Sequence, residues 1–134
     1  DNAIDGLRRC AEHAASVRVP LCLENQPPVD GIERHTTTPA ALAATLEAVD
    51  ADLGVTLDVG HAKVAGVDWR RFVERFDGHI HVCHLSANDG TADQHAPLPE
   101  HATIVGAVGA PYNVFEMKTL DDIAACVPQP PGRR

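Results

Sequence analysis

No Cys-x-x-Cys pair occurs in this sequence; its four cysteines, Cys10, Cys22, Cys83 and Cys126, lie far apart. That spacing excludes a zinc ribbon and a thioredoxin-like redox motif and predicts reduced, mostly buried thiols. No apolar run reaches the roughly 18 residues that a membrane span requires, and these residues contain no charged-then-apolar leader. No membrane partner is therefore expected, and a cytoplasmic location is. Basic residues are scarce: 11 Lys and Arg face 19 Asp and Glu, for a formal net charge of -8. They form nothing larger than pairs such as Arg70-Arg71 and Arg133-Arg134. A surface of this sign repels a phosphate backbone and offers no counterion-release affinity, so nucleic acid is not an expected partner.

What is present is the composition of one globular domain, 134 residues with 44% hydrophobic and 22% charged content. Ile4, Leu7, Ala11, Ala14 and Val17 recur at helical spacing and predict a helix over 1–17. The chain opens on Asp1 rather than Met with that helix already under way, so it is expected to begin inside a larger unit. The apolar stretch 21–23 reads as a buried strand. Thr38 as cap and Pro39 at the first helical position open a helix over 40–49, and 54–58 reads as a second strand. Asp68 is expected to cap a helix over 69–76, with Phe72 and Phe76 on one face. A third strand over 79–85 leads into a loop rich in Asn, Asp, Gly and Pro, then a short helix over 102–108. A fourth strand covers 112–117, and Thr119 with Asp121 and Asp122 starts the last helix. This alternation predicts an α/β domain over 1–127 with a parallel sheet, followed by a linker-like tail over 128–134.

Each of the four predicted strands ends in a group that can ligate a metal: Glu24, Asp58, His84 and Glu116. The intervals of 34, 26 and 32 residues are each close to one strand-helix unit of roughly 30 residues. Residues at equivalent ends of successive parallel strands face one mouth of the sheet, where such folds place their active sites. Three carboxylates converging there with one imidazole repel one another unless a cation lies between them, and an oxygen-rich set of this kind suits Mn, Co, Mg or Zn. His61, one turn past Asp58, and Asp93 and His95 in the loop after His84 are candidates for a second cation or for substrate binding. His79 and His81 are assigned to packing. His13, His35 and His101 have no partner that the sequence identifies.

The segments Leu23-Glu24-Asn25, Thr56-Leu57-Asp58-Val59-Gly60-His61, His84 to Gly90 with Asp93-x-His95, and Phe115-Glu116-Met117 resemble successive motifs of the xylose isomerase-like barrel superfamily. That group includes sugar and inosose isomerases or epimerases and endonuclease IV. The resemblance implies a (β/α)8 TIM barrel of which only strands five to eight are present, the carboxyl-terminal half. It also implies that Glu24, Asp58, His84 and Glu116 bind the central metal. The chain departs from the usual pattern at Ala87, where the family has aspartate, and at Pro99-Glu100-His101, where it has a glycine-glutamate-glycine turn. Both lie in the loop that reaches toward substrate.

The activity the resemblance implies, if the barrel is completed, is a metal-dependent isomerase or epimerase of a sugar, sugar phosphate or inosose. Glu24 and Glu116 would be its catalytic pair, moving a proton beside a carbonyl through an enediolate, and His61 would bind a substrate hydroxyl. A hydride shift is less expected, because it uses a second metal and a positioned lysine, and Lys63 is the lysine nearest the site motifs. Two alternatives remain: a phosphodiesterase resembling endonuclease IV, and a non-catalytic half-barrel that associates with a copy of itself or with a missing amino-terminal half. Half a barrel exposes two sheet edges and an apolar face.

Overall fold

The computed structural model describes residues 2–127. The expected tail over 128–134 lies outside the described residues. The elements are α1 (Asn2–Ser16), β1 (Cys22–Glu24), α2 (Pro39–Val49), β2 (Gly54–Asp58), α3 (Val59–Val64), α4 (Arg70–Arg75), β3 (Ile80–Leu85), α5 (His101–Val108), β4 (Tyr112–Phe115) and α6 (Leu120–Cys126). The four strands are parallel and stand in chain order, β1-β2-β3-β4.

Local chemistry sets the element ends. Thr38 accepts the Ala41 N–H with Pro39 inside the first turn, and Thr119 accepts the Asp122 N–H. Both are the caps the sequence predicts. The cap of α4 is Trp69 rather than the expected Asp68, which stands one residue earlier with its Oδ1 accepting the Arg70 N–H at 3.0 Å, and α4 is a residue shorter at each end. Arg8 on α1 donates to the carbonyls of Val49 and Ala48, each at 3.0 Å, and so satisfies free carbonyls at the end of α2.

The register sorts the strand residues into two faces, because successive side chains alternate. Leu23, Val55, Leu57, Ile80, Cys83, Leu85 and Phe115 belong to the core that the helices cover, with Leu42 of α2, Phe72 and Phe76 of α4, and Ile104 of α5. Phe72 and Phe76 stack with centroids 6.5 Å apart. The opposite face carries Cys22, Glu24, Gly54, Thr56, Asp58, Val82, His84, Tyr112 and Val114. None of these is among the apolar residues of the helix-covered core. On the edge strand β4, Tyr112 is 67% and Val114 42% exposed, so among the described residues this second face is uncovered at that edge.

Three further expectations need correction. Helix α3 is absent from the sequence reading: six residues of Val, Gly and Ala with two polar groups carry too little periodicity to signal a helix. The third strand starts at Ile80, which leaves His79 exposed with its ring on the Asp77 carbonyl at 3.0 Å rather than packed. His81 does pack. It is the extra residue where the β2–β3 register shifts, and it lies so near Gly54 that a Cβ there would sit 2.7 Å from its Nδ1. The thiols are not mostly buried, since Cys10 is exposed and Cys22 half-buried, while Cys83 and Cys126 are buried. Among the described residues no helix is long and apolar enough to cross a membrane.

Candidate metal centre

Glu24 closes β1, Asp58 closes β2, His84 is the penultimate residue of β3, and Glu116 follows β4 with its N–H continuing the ladder to the Leu85 carbonyl. One ligand atom from each lies within 4.8 Å of the other three. The His84 Nδ1 is 3.1 Å from Glu24 Oε1, 3.3 Å from Glu116 Oε1 and 3.8 Å from Asp58 Oδ2.

Asp58 carries the strongest sign of a missing positive partner. Its Oδ1 accepts the His61 N–H at 2.7 Å and so caps α3, whereas Oδ2 is buried with no hydrogen-bond partner. Burial pushes the carboxyl up to about 6; the His61 N–H and ring oppose the rise, and the charges of Glu24 and Glu116 add to it. His84 is raised as well, first by its hydrogen bond with Glu24 and then by the charges of Glu116, Glu24 and Asp58, against the opposing effect of burial. An orphaned carboxylate oxygen among two other carboxylates and an imidazole fits a divalent cation, which would neutralise groups that otherwise repel.

The residues expected to hold a second cation or substrate lie beside this cluster. His61 Nδ1 is 2.8 Å from the Asn25 carbonyl, and His95 Nδ1 is 2.7 Å from the Glu116 carbonyl. A carbonyl only accepts, so each ring carries its proton on Nδ1. Both Nε2 atoms therefore turn unprotonated lone pairs, in the neutral rings, on the same Asp93 Oδ2, at 3.2 and 3.0 Å. A cation would relieve that contact, and a backbone carbonyl on the far nitrogen is the usual support of a ligating histidine. Asp93 Oδ1 is also buried without a hydrogen-bond partner. His95 reaches this place with φ 54, in the left-handed region.

Several residues that shape the site received no role from the sequence. Asn25 is fully buried, and its side chain pairs with the Asp58 backbone at both ends: Asp58 N–H to Oδ1 at 2.7 Å, Nδ2 to the Asp58 carbonyl at 2.9 Å. Gly60 is needed for close approach, because a Cβ would meet Ser86 Oγ at 2.8 Å, Asp58 Oδ1 at 3.1 Å and Asn88 Nδ2 at 3.2 Å. Gly60→Ala is thus expected to break the Asn88 hydrogen bond to the Gly60 carbonyl and displace Asp58, costing about 1–3 kcal/mol; chemical denaturation measures it. Lys63 donates to the Asn88 carbonyl. His101, unpartnered in the sequence reading, sets Nδ1 3.1 Å from the Leu98 carbonyl and its ring edge-on to Phe115 at 5.2 Å.

Parallel strands in chain order, helices on one sheet face and a polar cluster at the strands' carboxyl ends define an α/β chain of barrel type. The chain belongs to the xylose isomerase-like TIM barrel family, whose family model matches residues 1–116. It is 34% identical over 105 residues to the uncharacterized protein MJ1311 of Methanocaldococcus jannaschii, covering 75% of this chain and 34% of that protein. The fold superposes on the apo form of the 3-keto-D-glucoside 4-epimerase YcjR from E. coli, with TM-score 0.67 and 16% identity over 92% of this chain and 48% of that one. It also superposes on the probable 3-DHS dehydratase AsbF, involved in petrobactin synthesis, from Bacillus anthracis. There the TM-score is 0.69 and the identity 19%, over 92% of this chain and 53% of that one. The chain thus spans about a third of the curated relative's length and about half of each structural neighbour's.

Proposed function

We propose that this chain supplies the carboxyl-terminal half, strands five to eight, of a barrel that isomerises or epimerises a small sugar-like substrate with a divalent metal. The observation that carries the reading is the convergence of Glu24, Asp58, His84 and Glu116 from four different strand ends, with the Asp58 Oδ2 buried and unpartnered. Residues 1–127 form the half-barrel, and its uncovered sheet face, bearing Tyr112 and Val114, is the face that the other half would enclose. The solved neighbours named as a sugar epimerase and a dehydratase support a substrate with a carbonyl and adjacent hydroxyls.

Glu24, Asp58, His84 and Glu116 would hold the divalent cation, which when bound would supply Lewis acidity toward a carbonyl oxygen. Glu24 ends one outermost strand and Glu116 follows the other, each with Oε1 against the same His84 nitrogen. One removes the proton from the carbon beside the carbonyl and the other returns it, on the same or the neighbouring carbon. Asp58 and His84, from the two strands between them, would complete the ligand set. His61, Asp93 and His95 bind a substrate hydroxyl or a second cation at the rim of the site.

Incubating the purified protein with ketoses and inososes in heavy water tests this reading. Deuterium should appear at the carbon beside the carbonyl, and Glu24→Gln or Glu116→Gln should lower its rate on the order of 100-fold or more, the scale of lost acid-base catalysis. The two imidazoles on Asp93 favour one other reading, a phosphodiesterase of the endonuclease IV kind. It predicts phosphodiester cleavage without deuterium incorporation, and a second cation equivalent lost in Asp93→Ala.

A further inference from the structure

We propose that Gln26 and Arg34 are a positioning pair that holds Glu24 as a one-oxygen ligand. The inference rests on Glu24 being a ligand of the cation, as proposed above. The two Glu24 oxygens have different surroundings. Oε1 is turned into the cluster, 3.1 Å from His84 Nδ1 and 3.5 Å from His61 Nδ1. Oε2 accepts a hydrogen bond from Gln26 Nε2 at 2.9 Å.

The orientation of the Gln26 amide follows from its other end, where Oε1 accepts from an Arg34 NH1 group at 2.9 Å. A guanidinium only donates, so a flipped amide would set donor against donor at Arg34 and acceptor against carboxylate at Glu24. The loop is folded to keep this order. Val29 bridges to Ile32 across Gly31, at φ 73, and the Gln26 N–H donates to the buried Thr36 hydroxyl at 3.2 Å. Arg34 is thereby returned to Gln26, eight residues back.

A direct Arg34–Glu24 ion pair would neutralise the carboxylate and compete with a cation. One amide between them avoids that: the guanidinium polarises the amide, the amide strengthens its bond to Oε2, and Oε1 stays free for the cluster. Neither residue touches reacting atoms, and partners of this outer kind are typically worth about 10–100-fold in metal affinity.

Titration with cobalt(II), followed by calorimetry and by visible absorption, tests the pair in the purified protein with Gln26→Leu, Arg34→Met, Arg34→Lys and Glu24→Ala. Gln26→Leu should weaken binding about 10-fold or more, and its spectrum should become weaker and of higher coordination as the released Oε2 joins the ion. Arg34→Met should move both readouts in the same direction although it removes no atom that touches Glu24, and Arg34→Lys should restore the spectrum. Thermal unfolding identifies any variant that does not fold; if that is Arg34→Met, Gln26→Leu decides alone. Parent-like affinity and spectrum in folded Gln26→Leu, with cobalt lost in Glu24→Ala, would overturn the pair while leaving Glu24 a ligand. Parent-like binding in Glu24→Ala would remove the ligand reading and the pair with it.

Discussion

Asp58→Asn is expected to make the metal-free protein more stable at pH 7 by on the order of 3 kcal/mol, at about 1.4 kcal/mol per pH unit of displaced titration, and to abolish metal binding. Burial moves the carboxyl from its ordinary 3.8 to about 6 in the fold, so the folded chain holds this proton more tightly than the unfolded chain. A group raised in this way stabilises the fold fully below pH 3.8, and that stabilisation is lost as pH rises to 6 and above. His84, raised above 6.5, acts in the same direction, its share being lost as pH passes through its folded value. The metal-free protein should therefore lose melting temperature between pH 4 and 7. Asparagine keeps an oxygen for the His61 N–H and replaces the orphaned Oδ2 with a neutral donor, which removes the carboxylate part of that loss. With metal the order reverses, because the cation competes with the proton at Asp58 and affinity falls as pH drops through 6. Melting curves at several pH values, with chelator and with added metal, measure both effects.

Asn25→Ala should be nearly as damaging by a different route. It removes two hydrogen bonds and leaves the Asp58 N–H and carbonyl buried without the partners that hold them. At roughly 1–3 kcal/mol for each of the two stranded groups, the loss is about 2–6 kcal/mol. The variant keeps the Asn25 main-chain carbonyl that meets His61, so the loss falls on the side-chain link between the β1 and β2 ends. Metal affinity should fall about 10–100-fold with all four ligands intact. Denaturant unfolding gives the first number and metal titration the second; an unchanged affinity in a folded variant would show that the strand ends hold their places without Asn25.

The sequence made the strand ends legible because two independent patterns agree there: apolar runs that stop at a polar residue, and stops that recur at the length of one strand-helix unit. Glu24, Asp58, His84 and Glu116 follow from that agreement, and the structure brings them to one place. Thr38 and Thr119 were legible because capping is local chemistry. What escaped depends on contacts between segments. Asn25 works through a backbone 33 residues away, and Arg34 through a loop that returns on itself. Gly60 is required by Ser86 and Asn88, which its own neighbourhood does not reveal. Helix α3 is too short for periodicity, and His79 fell on the wrong side of a strand boundary by one residue. That one sheet face is covered and the other is not emerged only with the register.

The most direct test of the central claim is the metal content of the gel-filtered protein by elemental analysis, beside Glu116→Ala. About one equivalent of Mn, Co, Mg or Zn in the parent, falling to a small fraction of that in a folded variant, is the expected result, since one of four ligands is gone. A folded parent that binds no divalent metal when offered it, or a Glu116→Ala variant that retains a full equivalent, would contradict the assignment of these four strand ends as a metal centre.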